Sequence, residues 1–201
     1  MKYLPITDIE STCWRPDEDA KGQRNETIQI GMVVVNLEQL TIDPVETTLY
    51  IRPERSTISE FCKNLCKITD VDYYYNVAPT FPNQAAYLKQ ELADRWDSPD
   101  TWASWGDYDR RKLREDSREK FSVYPFGAHH INLKEMERVV NQRTRAIGLG
   151  RAVRSAGMEF EGQPHFSTHD ARNTARVLIS LIRNKKARIE DFIMEDTPYG
   201  R

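Results

Sequence analysis

A chain of 201 residues with a formal charge of −2 is long enough to bury a substantial core as one domain, and its balance of charge excludes a protein that holds nucleic acid mainly by bulk electrostatics. Its three cysteines, Cys13, Cys62 and Cys66, build neither a compact disulfide framework nor a four-ligand zinc site. No apolar run approaches the roughly 20 residues of a membrane helix or the core of a secretory leader, so the expectation is a soluble, cytoplasmic protein with no membrane partner.

The elements read in order as follows. KYLPITDIESTCW opens as a strand in which Leu4, Ile6, Asp8 and Glu10 keep the alternation; Pro5 lacks the amide donor a ladder needs, which predicts irregular pairing there. TIQIGMVVVN and TTLYIRP are two further strands, joined through Asp43-Pro44, and the three together suggest an antiparallel meander. Thr57 and Glu60 have the spacing of a capping box ahead of FCKNLCKI, where Cys62 and Cys66 share a helix face. Thr80 and Pro82 open a longer helix through Leu88, Leu92 and Trp96. WASWG is a short buried strand, and DYDRRKLREDSREK, dense in both signs of charge, reads as a solvated helix. INLKEMERVV, GLGRAVRSAG and DARNTARVLISLIR fit further helices, the last with Ala171, Ala175, Leu178 and Ile182 at helical spacing. EDFIMEDTPYGR reads as a frayed tail or a docking element. The fold class is α/β, a meander followed by strands interleaved with helices.

Chemistry concentrates at a few acids. Side chains two apart on a strand point the same way, so Asp8 and Glu10 aim two carboxylates at one place. Alone, that pair is a solvated strand end, His165 a surface histidine and Asp170 a helix N-terminal charge. What changes the reading is their company: His165 and Asp170 in PHFSTHDARN, with the acid at the start of an apolar helix, and Asp109 directly after the aromatic Tyr108. Carboxylates suit hard cations such as Mg²⁺ or Mn²⁺ and thiols do not. Arg138, Arg143, Arg145, Arg151, Arg154, Arg172 and Arg176 crowd the C-terminal third; they are either solvated helix faces with glutamate partners or a surface that meets phosphates. His129 and His130 are not spaced to share a site with His165 and read as structural or, alternatively, substrate-facing.

TDIESTCW, ASWGDYDRRKL and HFSTHDARNTARV, in that order, resemble the three acidic motifs of the DEDDh branch of the 3′-to-5′ exonucleases, within the ribonuclease H-like superfamily, and the Eri-type exoribonucleases in particular. YIRPERSTISEFCKNLCKIT, VAPTFPNQAAYL, HHINLK and GLGRAV are similar to that group as well, so the likeness covers most of the chain. It implies a ribonuclease H-like three-layer fold with a mixed central sheet, its first three strands antiparallel and helices on both faces, over residues 1–190, with 191–201 a C-terminal tail.

The resemblance also implies roles. Asp8, Glu10, Asp109 and Asp170 would hold two Mg²⁺ or Mn²⁺ ions, with Asp8 bridging them, and His165 would be the general base. Asp109 is preferred to Asp107 because the second motif places its acid after an aromatic. The substrate-facing set would be Ile9, Thr12, Trp14, Cys66, Phe81 and His165; on residue type alone Trp14 is most simply a core or rim aromatic, and Trp14 and Phe81 are the candidates for stacking on the terminal base. Two departures stand out: His169, where many relatives carry an acid, and Cys66, where they often have a threonine. The implied activity is release of nucleoside 5′-monophosphates from single-stranded 3′ ends, RNA preferred to DNA. A DNA exonuclease of proofreading or repair type and a catalytically weak nucleic-acid-binding module are the alternatives.

Overall fold

The computed structural model of the protein describes residues 1–15 and 22–196. Strands β1 (Tyr3–Ser11) and β2 (Thr27–Asn36) form a long antiparallel pair, continuous from Tyr3↔Asn36 to Glu10↔Gln29. Pro5 stands in register opposite Val34, and the irregularity expected there lies instead between Glu10 and Ser11. Strand parity explains the difference. The amide of Ile9 turns away from β2 to reach Asp109, and Pro5 has the same parity, so the missing donor belongs to the other edge of β1 and no β1–β2 bond is lost.

Two strands lie along the far edge of β2, both antiparallel to it: β3 (Thr41–Ile42), a short strand beyond the three expected, and β4 (Thr47–Tyr50). Beyond β1 come β5 (Thr101–Ser104) and β6 (His129–Asn132), both parallel, and then β7 (Ile193–Glu195), antiparallel to β6. The sheet is therefore mixed. The helices are α1 (Glu60–Leu65), α2 (Val71–Asn76), α3 (Phe81–Trp96), α4 (Tyr108–Glu119), α5 (Leu133–Val140), α6 (Leu149–Ser155) and α7 (Ser167–Lys185).

Alternation along β1 divides the core. Leu4 and Ile6 point to one face and pack with Val33 and Val35 against Ala171, Ala175 and Leu178 of α7, flanked by α5 and α6. Ile9 points to the other face, where Ile30, Met32 and Val34 meet the apolar side of α3 and Leu113 of α4. Leu88 of α3 is wholly buried there, and truncating such a leucine to alanine costs about 2–5 kcal/mol. Helices α1 and α2 cover one end of the sheet over a smaller cluster of Ile28, Cys62, Cys66, Ile68 and Tyr74. The result is the three-layer, ribonuclease H-like arrangement with helices on both faces. Among the described residues no helix is long and apolar enough to cross a membrane.

Local expectations change in three places. Ser59, not Thr57, caps α1: its Oγ accepts the Cys62 amide at 3.0 Å, while the Thr57 hydroxyl donates to Gln23. Helix α4 is not a solvated helix, since Asp109, Lys112, Leu113, Asp116 and Ser117 are buried. Lys112 pairs with Asp116 at 3.1 Å and donates to the Asn25 carbonyl, and Asp116 accepts the Thr27 amide at 3.0 Å; opposite charges one turn apart neutralise each other indoors and fasten the helix to β2. Finally, the sheet continues into the stretch expected as a tail. Strand β7 extends the sheet, and the wholly buried Asp196 accepts from Trp102 Nε1 at 3.1 Å and Tyr124 OH at 2.6 Å and pairs with Arg110 and Arg114. The remainder of the expected tail, 197–201, lies outside the described residues.

Candidate active site

Asp8 and Glu10 continue the Leu4–Ile6 face of β1 out of the core to the point where α7 begins. Gly31 faces Asp8 across the ladder, and its lack of a side chain admits the helix: a Cβ there would lie 2.1 Å from the Thr168 nitrogen and 2.2 Å from the Ser167 carbonyl carbon. Phe166 precedes α7 and has no side chain that can cap it. Gln29, opposite Glu10, does so from β2, its Oε1 accepting the Ser167 amide at 2.9 Å and hydroxyl at 2.8 Å. Asp170 thus enters in the first turn of α7, where the helix dipole favours an anion. Asp109 enters from the first turn of α4 and is 4% exposed, with its Oδ1 held by the Ile9 amide at 3.0 Å. Asp107 turns to Arg110 and Arg111 instead.

His165 completes the cluster from the loop before α7. Its backbone is left-handed, φ 62°; its N–H donates to Asp170 Oδ2 at 3.1 Å, and its Nδ1 stands 4.0 Å from Glu10 Oε1. One ligand atom each from Glu10, His165 and Asp170 lies within 4.8 Å of the others. His169 supports that loop by accepting the Gln163 amide at 2.9 Å and packing its ring on Phe166.

The acids repel one another. Burial, then the carboxylates of Asp109, Asp170 and Glu10, push Asp8 well above the usual carboxylate range. Burial, joined by Asp170 and Asp109 and opposed by the Cys66 S–H, pushes Glu10 up to about 7. Burial lifts Asp109 to about 6 against the pull of the Ile9 amide, and raises Asp170 against its bond from His165. Among the described residues no lysine or arginine pairs with any of the four. Hard oxygen donors that converge with their charge uncompensated fit divalent cations such as Mg²⁺ or Mn²⁺.

The expected substrate-facing residues divide. Cys66, buried at the end of α1, places its Sγ 3.4 Å from Glu10 Oε2; hydrogen bonding with Cys62, burial and Glu10 itself push its thiol well up, so it is the donor. The Ile9 side chain is in the core, leaving only its backbone at the site. Thr12 is wholly buried, its hydroxyl 3.1 Å from Ser56 and accepting the Glu26 amide at 2.9 Å, so that side chain does not reach the cleft. Phe81 is corrected outright: it is wholly buried as the first apolar residue of α3, beneath the sheet, and offers no stacking surface. Trp14 is half-buried, and among the described residues its inward-turned indole N–H has no acceptor. His129 pairs with Asp100 and His130 sits wholly buried against Ser104, both structural. Four of the seven arginines, Arg138, Arg143, Arg172 and Arg176, pair with glutamates.

Two pockets flank the acids, and most of their lining escaped the sequence reading. One, about 430 Å³, is bordered by Arg15, Phe61, Leu65, Lys67 and His165. The other, about 280 Å³, is bordered by Tyr50, Cys66, Lys67, Tyr73, Tyr74 and Phe166. Phe61 and Leu65 are one turn apart on α1 and only partly buried, Leu65 packing against the Cys62–Cys66 cluster while still bordering the pocket. Tyr108, beside Asp109, is 46% exposed and donates to Asn25 at 2.9 Å.

The Exonuclease family model matches residues 6–178. ERI1 exoribonuclease 2 of Mus musculus is 29% identical over 202 residues, covering 90% of this chain and 29% of its own length. 3′-5′ exoribonuclease 1 of Homo sapiens is 27% identical over 195 residues, covering 90% of this chain and 53% of its own. The chain therefore spans between 29% and 53% of the length of these curated relatives. The nuclease domain of 3′hExo, a DEDDh family member, bound to rAMP, superposes with a TM-score of 0.84 at 24% identity over 98% of both chains, a shared fold.

Proposed function

The chain belongs to the exonuclease family, close to its Eri-type DEDDh members, and from that premise we propose that it is a metal-dependent 3′-to-5′ exonuclease that removes nucleoside 5′-monophosphates from single-stranded RNA. The observation that carries this reading is the cluster of Asp8, Glu10, Asp109 and Asp170, drawn from β1, α4 and α7 and near enough to raise one another's pKa, with ligand atoms of Glu10, Asp170 and His165 within 4.8 Å of one another. Asp8, Glu10 and Asp170 would hold one divalent ion, and Asp8 with Asp109 a second. Such ions, when bound, supply charge neutralisation of the phosphodiester, a more acidic water and stabilisation of the departing 3′-oxygen.

The chain's own groups do the rest. The His165 ring, half-exposed beside Glu10, takes the proton of the attacking water, a task for which its ring nitrogen is a suitable acceptor. Its backbone bond to Asp170 keeps the base in register with the acids while leaving the ring free to turn. Phe61 and Leu65 present apolar surface to the terminal base, and Cys66 restrains the Glu10 carboxylate. The choice of RNA follows the names of the relatives, which are exoribonucleases. A binding-only module has less support, since all four acids and the histidine are in place.

Product chemistry tests this. Digestion of single-stranded RNA with Mn²⁺ should release nucleosides bearing a 5′-phosphate, identified by chromatography. Release of 3′-phosphates or cyclic phosphates would point to attack by the 2′-hydroxyl and sink the reading.

A further inference from the structure

Lys67 and His165 are the residues lining the cleft whose backbones are left-handed, at φ 54° and 62°. That conformation is disfavoured for side chains other than glycine and asparagine, and it persists where surrounding structure imposes it, often at working sites. Lys67 is exposed, makes no ion pair among the described residues, and borders both pockets. In a cleft dominated by carboxylates it is a cation free to meet a polyanion.

The smaller pocket has an aromatic wall. Tyr50, Tyr73 and Tyr74 meet edge to face, with centroids 5.7 to 6.3 Å apart, and Phe166 lies opposite on the His165 loop. Tyr73 keeps 36% of its surface exposed. Its amide donates to the Asp70 carboxylate at 2.9 Å, so that acid, which also borders the pocket, caps α2. Cys66 joins the pocket to the acids through Glu10.

We propose that this tyrosine-lined pocket is a second nucleobase subsite, taking the nucleotide on the 5′ side of the scissile phosphate, with its base against Tyr73 and its phosphate against Lys67. The proposal rests on the exonuclease reading. A scissile phosphodiester joins two nucleosides. If the terminal one lies by Phe61, Leu65 and His165, its neighbour needs a separate place beside the same acids, and the pocket reached through Cys66 provides it. Aromatic rings accept any base, and an ammonium contacts a phosphate as a point charge, so the subsite would bind single strands with little sequence choice.

The test compares an RNA trinucleotide with thymidine 5′-monophosphate p-nitrophenyl ester, which carries one nucleoside, one phosphate and no 5′ neighbour. Binding is read with Ca²⁺ in place of Mn²⁺, from trinucleotides bearing 2-aminopurine at the terminal or penultimate position. Tyr73→Leu should weaken trinucleotide binding about tenfold, the loss of one stacking contact, and abolish quenching at the penultimate base, while hydrolysis of the ester falls far less. Lys67→Gly should weaken the trinucleotide and lower the slope of log affinity against log salt by about 0.7, one phosphate contact, with a melting temperature no lower than wild type because glycine accepts the left-handed backbone. An unquenched penultimate base in the wild type, equal losses on ester and RNA, or binding indifferent to Lys67→Gly would overturn the subsite while leaving the exonuclease intact. A wild type that cleaves neither substrate with metal overturns the exonuclease reading and the subsite with it.

Discussion

Asp109 Oδ1 accepts the backbone N–H of Ile9 at 3.0 Å, joining residues one hundred positions apart. The bond falls between Asp8 and Glu10, so it fixes the α4 carboxylate and the acidic end of β1 together. Asp109→Asn keeps an acceptor oxygen and removes a repelling charge; in chelator it should melt no lower than wild type, yet lose turnover. Asp109→Ala leaves the buried amide unpaired and should be about 1–3 kcal/mol less stable than Asp109→Asn. Equal stability of the two variants in thermal denaturation would show that the bond contributes nothing.

Stability should depend on pH in a particular sense. The Glu10 carboxyl has its ordinary pKa of 4.5 in the unfolded chain and about 7 in the folded one, and Asp8 is shifted the same way. Between those values the folded state binds more protons than the unfolded state, so stability falls as pH rises through the window. In chelator the melting temperature should drop from about pH 5 to about pH 7.5, less steeply in Glu10→Gln, and saturating Mg²⁺ should reverse the drop by binding only the folded site. A metal-free protein that becomes more stable over that range relative to Glu10→Gln would contradict the repulsion between the acids.

The backbone of His165 separates its structural and chemical roles. Glycine accepts φ 62° and keeps the amide that bonds Asp170, so His165→Gly should stay within about 1 kcal/mol of wild-type stability. Its single-turnover rate should fall about 10²–10⁴-fold. A rate within a few-fold of wild type would remove His165 from the base role.

At the opposite edge, Asp196→Ala strands Arg110 and Arg114 and leaves Trp102 and Tyr124 without their acceptor. Breaking a buried ionic cluster of this kind costs about 3–5 kcal/mol, readable by chemical denaturation. A loss below about 1 kcal/mol, the range of an exposed pair, would show that this cluster does not hold the 191–196 segment to the sheet.

What the sequence reveals depends on how local the physics is. Strand parity puts Asp8 and Glu10 on one face, and helix periodicity places Ala171, Ala175 and Leu178 toward the sheet, without reference to the rest of the chain. Tertiary facts are hidden. Nothing near Gly31 announces that Ser167 and Thr168 will press against it. Lys112 and Asp116 look solvated because their partners, Asn25 and Thr27, lie far away in the chain. Phe81 resembles a platform until β2 covers it. The three residues of β7 are all exposed and show no alternation, so only pairing with β6 makes them a strand.

The central claim is directional, metal-dependent hydrolysis, and the most direct measurement is a time course on 5′-labelled single-stranded RNA and its DNA counterpart, resolved to single nucleotides. Wild type and Asp8→Asn would be compared with Mn²⁺ and with chelator. The expected result is a ladder that shortens from the 3′ end, faster on RNA, with metal and wild type only. Folded wild-type protein that leaves both strands intact in the presence of metal, or cuts them internally, would contradict it.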